Sequence, residues 1–193
     1  MLYVFFIAML LWQWNSIEKD QGTSQKEPFV SIVIPVRNEE ATIKALLERL
    51  NEQSYPFEKM EVIVADDEST DKTRQVIEEV AHNLSFTLTL FTVAPHAYPS
   101  RKKEALRQAI EKSKGEVIIT TDGDCLPTKE WIAGIVAPFD DEEVQLVTGP
   151  VAYWGKPKLF NALQRTELLS LIGVGGATIK MGFPTMCNGA NLA

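Results

Sequence analysis

Glu116-Val117-Ile118-Ile119-Thr120-Thr121-Asp122-Gly123-Asp124 is an apolar run that ends in two carboxylates around a glycine. The run up to Thr121 reads as a buried strand, and Asp122-Gly123-Asp124 as a tight turn at its carboxyl end. Carboxylates in that position add little to a core, because charged groups are costly to desolvate. They are well placed to hold a divalent cation against a diphosphate. A second run, Glu61-Val62-Ile63-Val64-Ala65, ends the same way in Asp66-Asp67. Two strands that end in carboxylates imply one shared site.

Outward from these runs, strands and helices alternate from Pro28 onward. Phe29 to Val36 is a third apolar run, and Ile43, Leu46, Leu47 and Leu50 then recur at helical spacing, with Tyr55-Pro56 ending that helix. Ser69 or Thr70 can cap a helix that buries Val76, Ile77 and Val80. Ser85 to Val93 alternates with threonines and reads as a strand nearer an edge. A loop from Pro95 to Pro99 leads into a helix over Arg101 to Lys114, with Ala105, Leu106, Ala109 and Ile110 inward and Gly115 as its cap. Pro127 suits the first turn of a further helix carrying Trp131, Ile132, Ile135 and Val136. Val144–Val147 and Val151–Trp154 look like two more strands, Lys158 to Val174 is helical, and the tail is loop-like. Strands alternating with helices predict an α/β fold with a mostly parallel central sheet flanked by helices.

The chain has 193 residues, 45% hydrophobic and 23% charged, enough for one sizeable core. Its net charge of -7 argues against nucleic acid as a partner. Cys125 and Cys187 are far apart and form no CxxC unit, so they read as buried thiols rather than zinc ligands. Residues 1–14 are almost uniformly apolar and read as a hydrophobic membrane-anchor helix, with Trp12 and Trp14 as interfacial residues. Residues 15–27 read as a linker, and 28–193 as the folded domain. The expected location is membrane-associated, with the catalytic domain on the cytoplasmic side.

In open α/β sheets, ligands bind beyond the carboxyl ends of the strands. That rule puts Pro35 to Glu39, Asp66 to Asp71, the start of the Arg101 helix and Asp122 to Asp124 on one rim. So many carboxylates repel one another unless cations join them. Magnesium or manganese, with phosphate oxygens completing its shell, suits such a donor set.

Four segments occur in order: Ile34-Pro35-Val36-Arg37-Asn38-Glu39, Asp66-Asp67-Glu68-Ser69-Thr70-Asp71, Lys102-Lys103-Glu104-Ala105-Leu106 and Asp122-Gly123-Asp124. Together they resemble the family-2 glycosyltransferases of GT-A fold, from about Phe29 to the C-terminus. The resemblance implies an inverting enzyme that moves a sugar from a nucleotide-sugar, with a UDP-sugar favoured, to a glycan or lipid-linked acceptor. It implies that Pro35, Arg37 and Glu39 line the nucleotide pocket, Asp67 binds the base and Asp66 shapes that pocket. Lys102 would approach the nucleotide, Asp122 the ribose or diphosphate, and Asp124 would ligate Mn2+ or Mg2+.

Inversion also needs a general base for the acceptor hydroxyl. The family places it well beyond a Gly-Ala-Asn-like segment, which here is Asn188-Gly189-Ala190-Asn191. The base is therefore expected after Ala193. These residues would then be the donor half of a longer enzyme, C-terminally truncated and inactive alone. A nucleotidyltransferase fits less well, because Arg37-Asn38-Glu39-Glu40 is acidic where a Gly-rich basic loop is expected. A non-catalytic nucleotide-sugar-binding domain is the remaining alternative. A nicotinamide-dependent Rossmann enzyme is disfavoured, since no GxGxxG follows the first strand.

Overall fold

The computed structural model describes residues 1–17, 26–95, 101–153 and 159–193. Residues 18–25 of the expected linker, 96–99 of the expected loop, and Trp154 and Lys158 lie outside the described residues. In chain order the elements are α1 Leu2–Asn15, β1 Val30–Val36, α2 Ile43–Leu50, β2 Met60–Asp66, α3 Thr73–Ala81 and β3 Thr87–Thr92. They continue with α4 Arg101–Lys112, β4 Val117–Thr120, α5 Trp131–Val136 and α6 Leu159–Lys180. The chain parts into two compact units: Met1–Gln21 with Thr148–Asn191, and Gly22–Val147 with Leu192–Ala193.

The larger unit holds a four-stranded, wholly parallel sheet in the order β3-β2-β1-β4. Val30 pairs with Met60 and Val36 with Asp66, while Val30 also pairs with Val117. β1 and β2 are central, so both their faces are covered and both read as continuous apolar runs. β3 is an edge strand with alternating exposure, as its threonines predict. The chain winds from β1 to β3 in one direction, then crosses back to β4. Crossovers of one hand that run in opposite directions put their helices on opposite faces. Accordingly Ile43, Leu46, Leu47 and Leu50 of α2, Ile77 of α3 and Ile132 of α5 pack with Ile32, Ile34, Val62 and Val64. Ala105 and Ala109 of α4 pack with Val33, Ile63 and Ala65 in a separate cluster. Leu47 is fully buried, and Leu47→Ala is expected to cost about 3 kcal/mol.

Several local expectations are corrected. α4 ends at Lys112, and Gly115 does not cap it. A Cβ at Gly115 would lie 2.4 Å from the Ser31 backbone nitrogen, so glycine serves a close approach to β1. Ile110 is exposed rather than inward. α3 begins at Thr73 rather than at Ser69 or Thr70, and α5 at Trp131, with Pro127 before it. Val144 to Val147 and Val151 to Tyr153 form no strand; Val147 instead exchanges backbone hydrogen bonds of 2.8 Å with Ala193. Such short apolar runs carry no length to separate strand from loop. Cys125 is half-buried and Cys187 exposed, both as free thiols.

In the smaller unit, α6 continues past Val174 to Lys180 through Gly175 and Gly176. A Cβ at Gly176 would lie 2.7 Å from the Trp14 ring, so the glycine admits the indole. α1 is helical, with Leu10 buried and Leu2, Phe5 and Trp12 exposed. Its 14 residues rise about 21 Å, short of a hydrocarbon core of about 30 Å. No described helix is long and apolar enough to cross a membrane, so the membrane-anchor and transmembrane reading of residues 1–14 is not supported.

Candidate functional site

The strand order reverses between β1 and β4, because the chain runs outward from β1 to β3 and then crosses back beyond β1, which makes this the switch point. The loops after β1, β2 and β4 meet at this carboxyl rim. The Asp67 amide donates to the Val36 carbonyl at 2.9 Å, joining the ends of β1 and β2. The Cys125 amide donates to the Asp122 carbonyl at 3.1 Å, which closes the turn over Asp122-Gly123-Asp124. A Cβ at Gly123 would lie 3.1 Å from the side chains of both Glu39 and Val36, so this turn packs against the end of β1.

The acidic residues differ in what holds them. Asp66 is buried, and its Oδ1 accepts from the Ser69 amide at 3.0 Å, which shapes the turn after β2. Asp67 is also buried, with Arg37 Nη1 at 3.3 Å from Oδ2 and Arg101 Nη1 at 3.6 Å from Oδ1. Arg101 reaches Glu68 as well, at 3.2 Å. Lys102 Nζ donates to Asp122 Oδ1 at 2.7 Å. These cations are about half exposed, so such pairs are worth at most about 1 kcal/mol each. Asp124 is exposed and makes no hydrogen bond or ion pair among the described residues. Pro35 and Glu39 are half-buried; Glu39 Oε2 accepts from Thr42 Oγ1 at 2.6 Å.

Among the described residues no group of three His, Cys, Asp or Glu could hold a metal ion by itself. The donor chemistry still fits one. Asp124 offers an unpartnered carboxylate beside Asp122, and magnesium-like ions take one or two carboxylates with the rest of the shell from water and phosphate.

All the residues expected at the site, Pro35, Arg37, Glu39, Asp66, Asp67, Lys102, Asp122 and Asp124, lie at this rim. Three further features were not singled out. Arg101 bonds Asp67 and Glu68, although the motif order pointed to Lys102. Asn38 and Glu68 adopt positive φ, at 58° and 52°. Glu104 is 3% exposed and accepts from Arg107 Nε at 3.0 Å and Gln108 Nε2 at 2.9 Å. The i+3 and i+4 spacing to Arg107 and Gln108 was the signal for Glu104.

Asp71 is expected to support a helix start more than to bind a ligand. Its Oδ1 accepts from the Thr73 amide at 2.9 Å and the Thr73 hydroxyl at 2.5 Å, and its Oδ2 from the Glu40 amide at 3.2 Å. Desolvation pushes the Asp71 carboxyl up, but these hydrogen bonds together hold it below the usual carboxylate value.

The chain is similar to known glycosyltransferases. It is 33% identical over 126 residues to glycosyltransferase AglE of Haloferax volcanii, covering 65% of this chain and 40% of AglE. It is 31% identical over 136 residues to the probable glycosyltransferase YdaM of Bacillus subtilis, covering 70% of this chain and 32% of YdaM. Among solved structures, it resembles mannosyltransferase PcManGT from Pyrobaculum calidifontis in complex with GDP-Man and Mn2+. That match has a TM-score of 0.64 at 25% identity and covers 95% of this chain and 63% of PcManGT. TarS of S. aureus, solved with UDP-GlcNAc, matches with a TM-score of 0.51 at 27% identity, over 67% of this chain and 37% of that one. The chain thus spans less than two thirds of each of these proteins. The profile described as Glycosyl transferase family 2 matches residues 31–189, from β1 through the rim motifs to Gly189, and the chain belongs to that family.

Proposed function

We propose that this chain carries the donor-binding part of an inverting, metal-assisted glycosyltransferase that uses a nucleotide-sugar. The observation that supports this most is the meeting of Asp67, Asp122 and Asp124 with Arg37, Arg101 and Lys102 at one rim, beside the β1/β4 switch point. In this reading Pro35, Arg37 and Glu39 line the nucleotide pocket. Asp67 accepts from the base, oriented by its two arginines. Asp66 acts through the turn it closes with Ser69. Lys102 and Asp122 approach the ribose and diphosphate. Asp124 would hold a divalent cation, Mn2+ or Mg2+, which supplies positive charge to the departing nucleoside diphosphate.

A UDP-sugar is the favoured donor and a glycan or lipid-linked molecule the acceptor. GDP-Man and UDP-GlcNAc, bound by two structural neighbours, leave uracil and guanine as the bases to compare. Calorimetric titration of the chain with UDP and with GDP, each with and without Mn2+, tests the reading. UDP should bind more tightly with Mn2+, and Asp124→Ala should remove the metal-dependent gain. If neither nucleotide binds in the presence of Mn2+, the donor-site reading is wrong. If Asp124→Ala leaves the gain intact, the metal assignment is wrong.

A further inference from the structure

The loops after β1 and β2 are sewn together by side chains that touch no expected ligand. The Asn38 amide donates to Ser69 Oγ at 3.0 Å, and Asn38 Oδ1 accepts from the Thr70 amide at 2.8 Å. The Glu39 amide donates to Thr73 Oγ1 at 2.7 Å, and the Thr73 hydroxyl donates onward to Asp71 Oδ1 at 2.5 Å. The Glu40 amide donates to Asp71 Oδ2 at 3.2 Å, and the Lys72 amide returns a bond to Glu40 Oε2 at 2.9 Å. Thr73 is fully buried.

These bonds have a consistent direction. A threonine hydroxyl has one proton. Asp71 takes it, so the lone pairs of Thr73 Oγ1 are left to accept the Glu39 amide. The amide of each successive residue from Asn38 to Glu40 is fixed by the β2–α3 loop or the first residue of α3. Asn38 sits at φ 58°, a conformation that costs a non-glycine residue energy unless its surroundings hold it. Arg37 and Glu39 flank that residue, and Asp67 lies on the opposite loop.

We propose that Asn38, Asp71 and Thr73 are positioning residues: they clasp the β1 loop to the β2 loop, so that Arg37 and Glu39 on one side and Asp67 on the other form a single nucleotide pocket. This rests on the donor-site reading above. The clasp binds no ligand itself. It acts by removing the freedom that the two loops would otherwise lose when nucleotide binds.

The test compares Thr73→Val, which keeps the shape and removes the hydroxyl, with Thr73→Ser, which restores the hydroxyl alone. Asn38→Gly serves as a second variant, since glycine tolerates the positive φ and removes the bonds that Asn38 Oδ1 accepts from Thr70. UDP and GDP titrations with Mn2+ are run on the whole chain at a temperature where circular dichroism shows each variant folded. Amide hydrogen exchange at Glu39 is read in parallel. Thr73→Val should weaken nucleotide binding about tenfold and expose the Glu39 amide to exchange, and Thr73→Ser should restore both. Asn38→Gly should weaken binding severalfold if Thr73→Val does not fold. Unchanged affinity in folded Thr73→Val or Asn38→Gly, with wild type binding normally, overturns the clasp and leaves the donor-site reading standing. A wild-type chain that binds neither nucleotide overturns both.

Discussion

Glu61 at the amino end of the sheet and the cation-paired carboxylates at its carboxyl end are held in opposite ways. At the amino end, Glu61 of β2 is 4% exposed. Its Oε1 accepts from Ser31 Oγ at 2.6 Å and from the Lys114 amide at 2.8 Å. Ser31 Oγ in turn accepts from the Gly115 amide at 2.8 Å. At the carboxyl end, Asp67 and Asp122 face half-exposed arginine and lysine side chains, and Asp124 faces solvent. Fixed, neutral donors satisfy a carboxylate permanently, because no ligand can take their place. Long cationic side chains can turn away and pair with an incoming phosphate instead. Burial of a carboxylate therefore says less about function than the kind of donor that meets it.

The largest effect expected from this contrast is at the amino end. Glu61→Ala should cost about 3 kcal/mol in urea unfolding, since it leaves the buried Ser31 hydroxyl proton without its acceptor and the Lys114 amide with only its 3.1 Å bond to Ser31 Oγ. Nucleotide affinity, measured where the variant is folded, should not change. A loss below about 1 kcal/mol would break the contrast, because Glu61 would then resemble a rim carboxylate. Gly115→Ala acts on the same network by pressing a Cβ against the Ser31 nitrogen, and should lower stability by about 2 kcal/mol in thermal unfolding. An unchanged melting temperature would mean that the β4 entry can move aside.

At the rim the expectation reverses. Asp124→Ala should leave stability within about 0.5 kcal/mol while removing the Mn2+-dependent part of nucleotide binding. A large loss of stability would place Asp124 with Glu61 among the structural carboxylates.

The smallest effects are in pH dependence, and they have opposite signs at the two ends. Tyr55 lies at the amino end, where its hydroxyl donates to the Pro28 carbonyl at 2.6 Å. Burial, then the charges of Glu27 and Glu116, push its pKa up to about 12. The stability it contributes is fully present below the ordinary tyrosine value of 10.0 and is lost as pH rises toward 12. Asp71, at the rim, is held below its ordinary value of 3.8, so its contribution is present above that value and lost as pH falls below it. Stability measured against pH for Tyr55→Phe and Asp71→Asn should flatten the alkaline and the acid limb respectively. A flattened limb on the wrong side would refute the assignment.

Much of the fold was legible because central parallel strands are apolar on both faces. The apolar runs Phe29 to Val36 and Glu61 to Ala65 announced the strands Val30–Val36 and Met60–Asp66 that way, and Ile43, Leu46, Leu47 and Leu50 matched one helical stripe. The short runs near Val144 and Val151 misled because a four-residue apolar stretch is compatible with strand, helix or loop. The apolar N-terminus poses a different question. Uniform apolarity signals burial in some apolar surrounding, but the length of α1 is what bears on spanning a membrane.

At the site, the order of Pro35, Arg37, Glu39, Asp66, Asp67, Lys102, Asp122 and Asp124 was readable, because a parallel sheet delivers successive strand ends to one rim. The pairing was not. Arg101 with Asp67, Asn38 with Thr70, and Glu39 with Thr73 join residues about 30 positions apart, and local pattern carries no record of such contacts. The sequence alone determined the α/β alternation and the motif order, since both follow from local periodicity and strand termini. Tertiary structure alone decided which carboxylates are permanently satisfied and which remain exchangeable, because the donors that meet them come from other strands and loops.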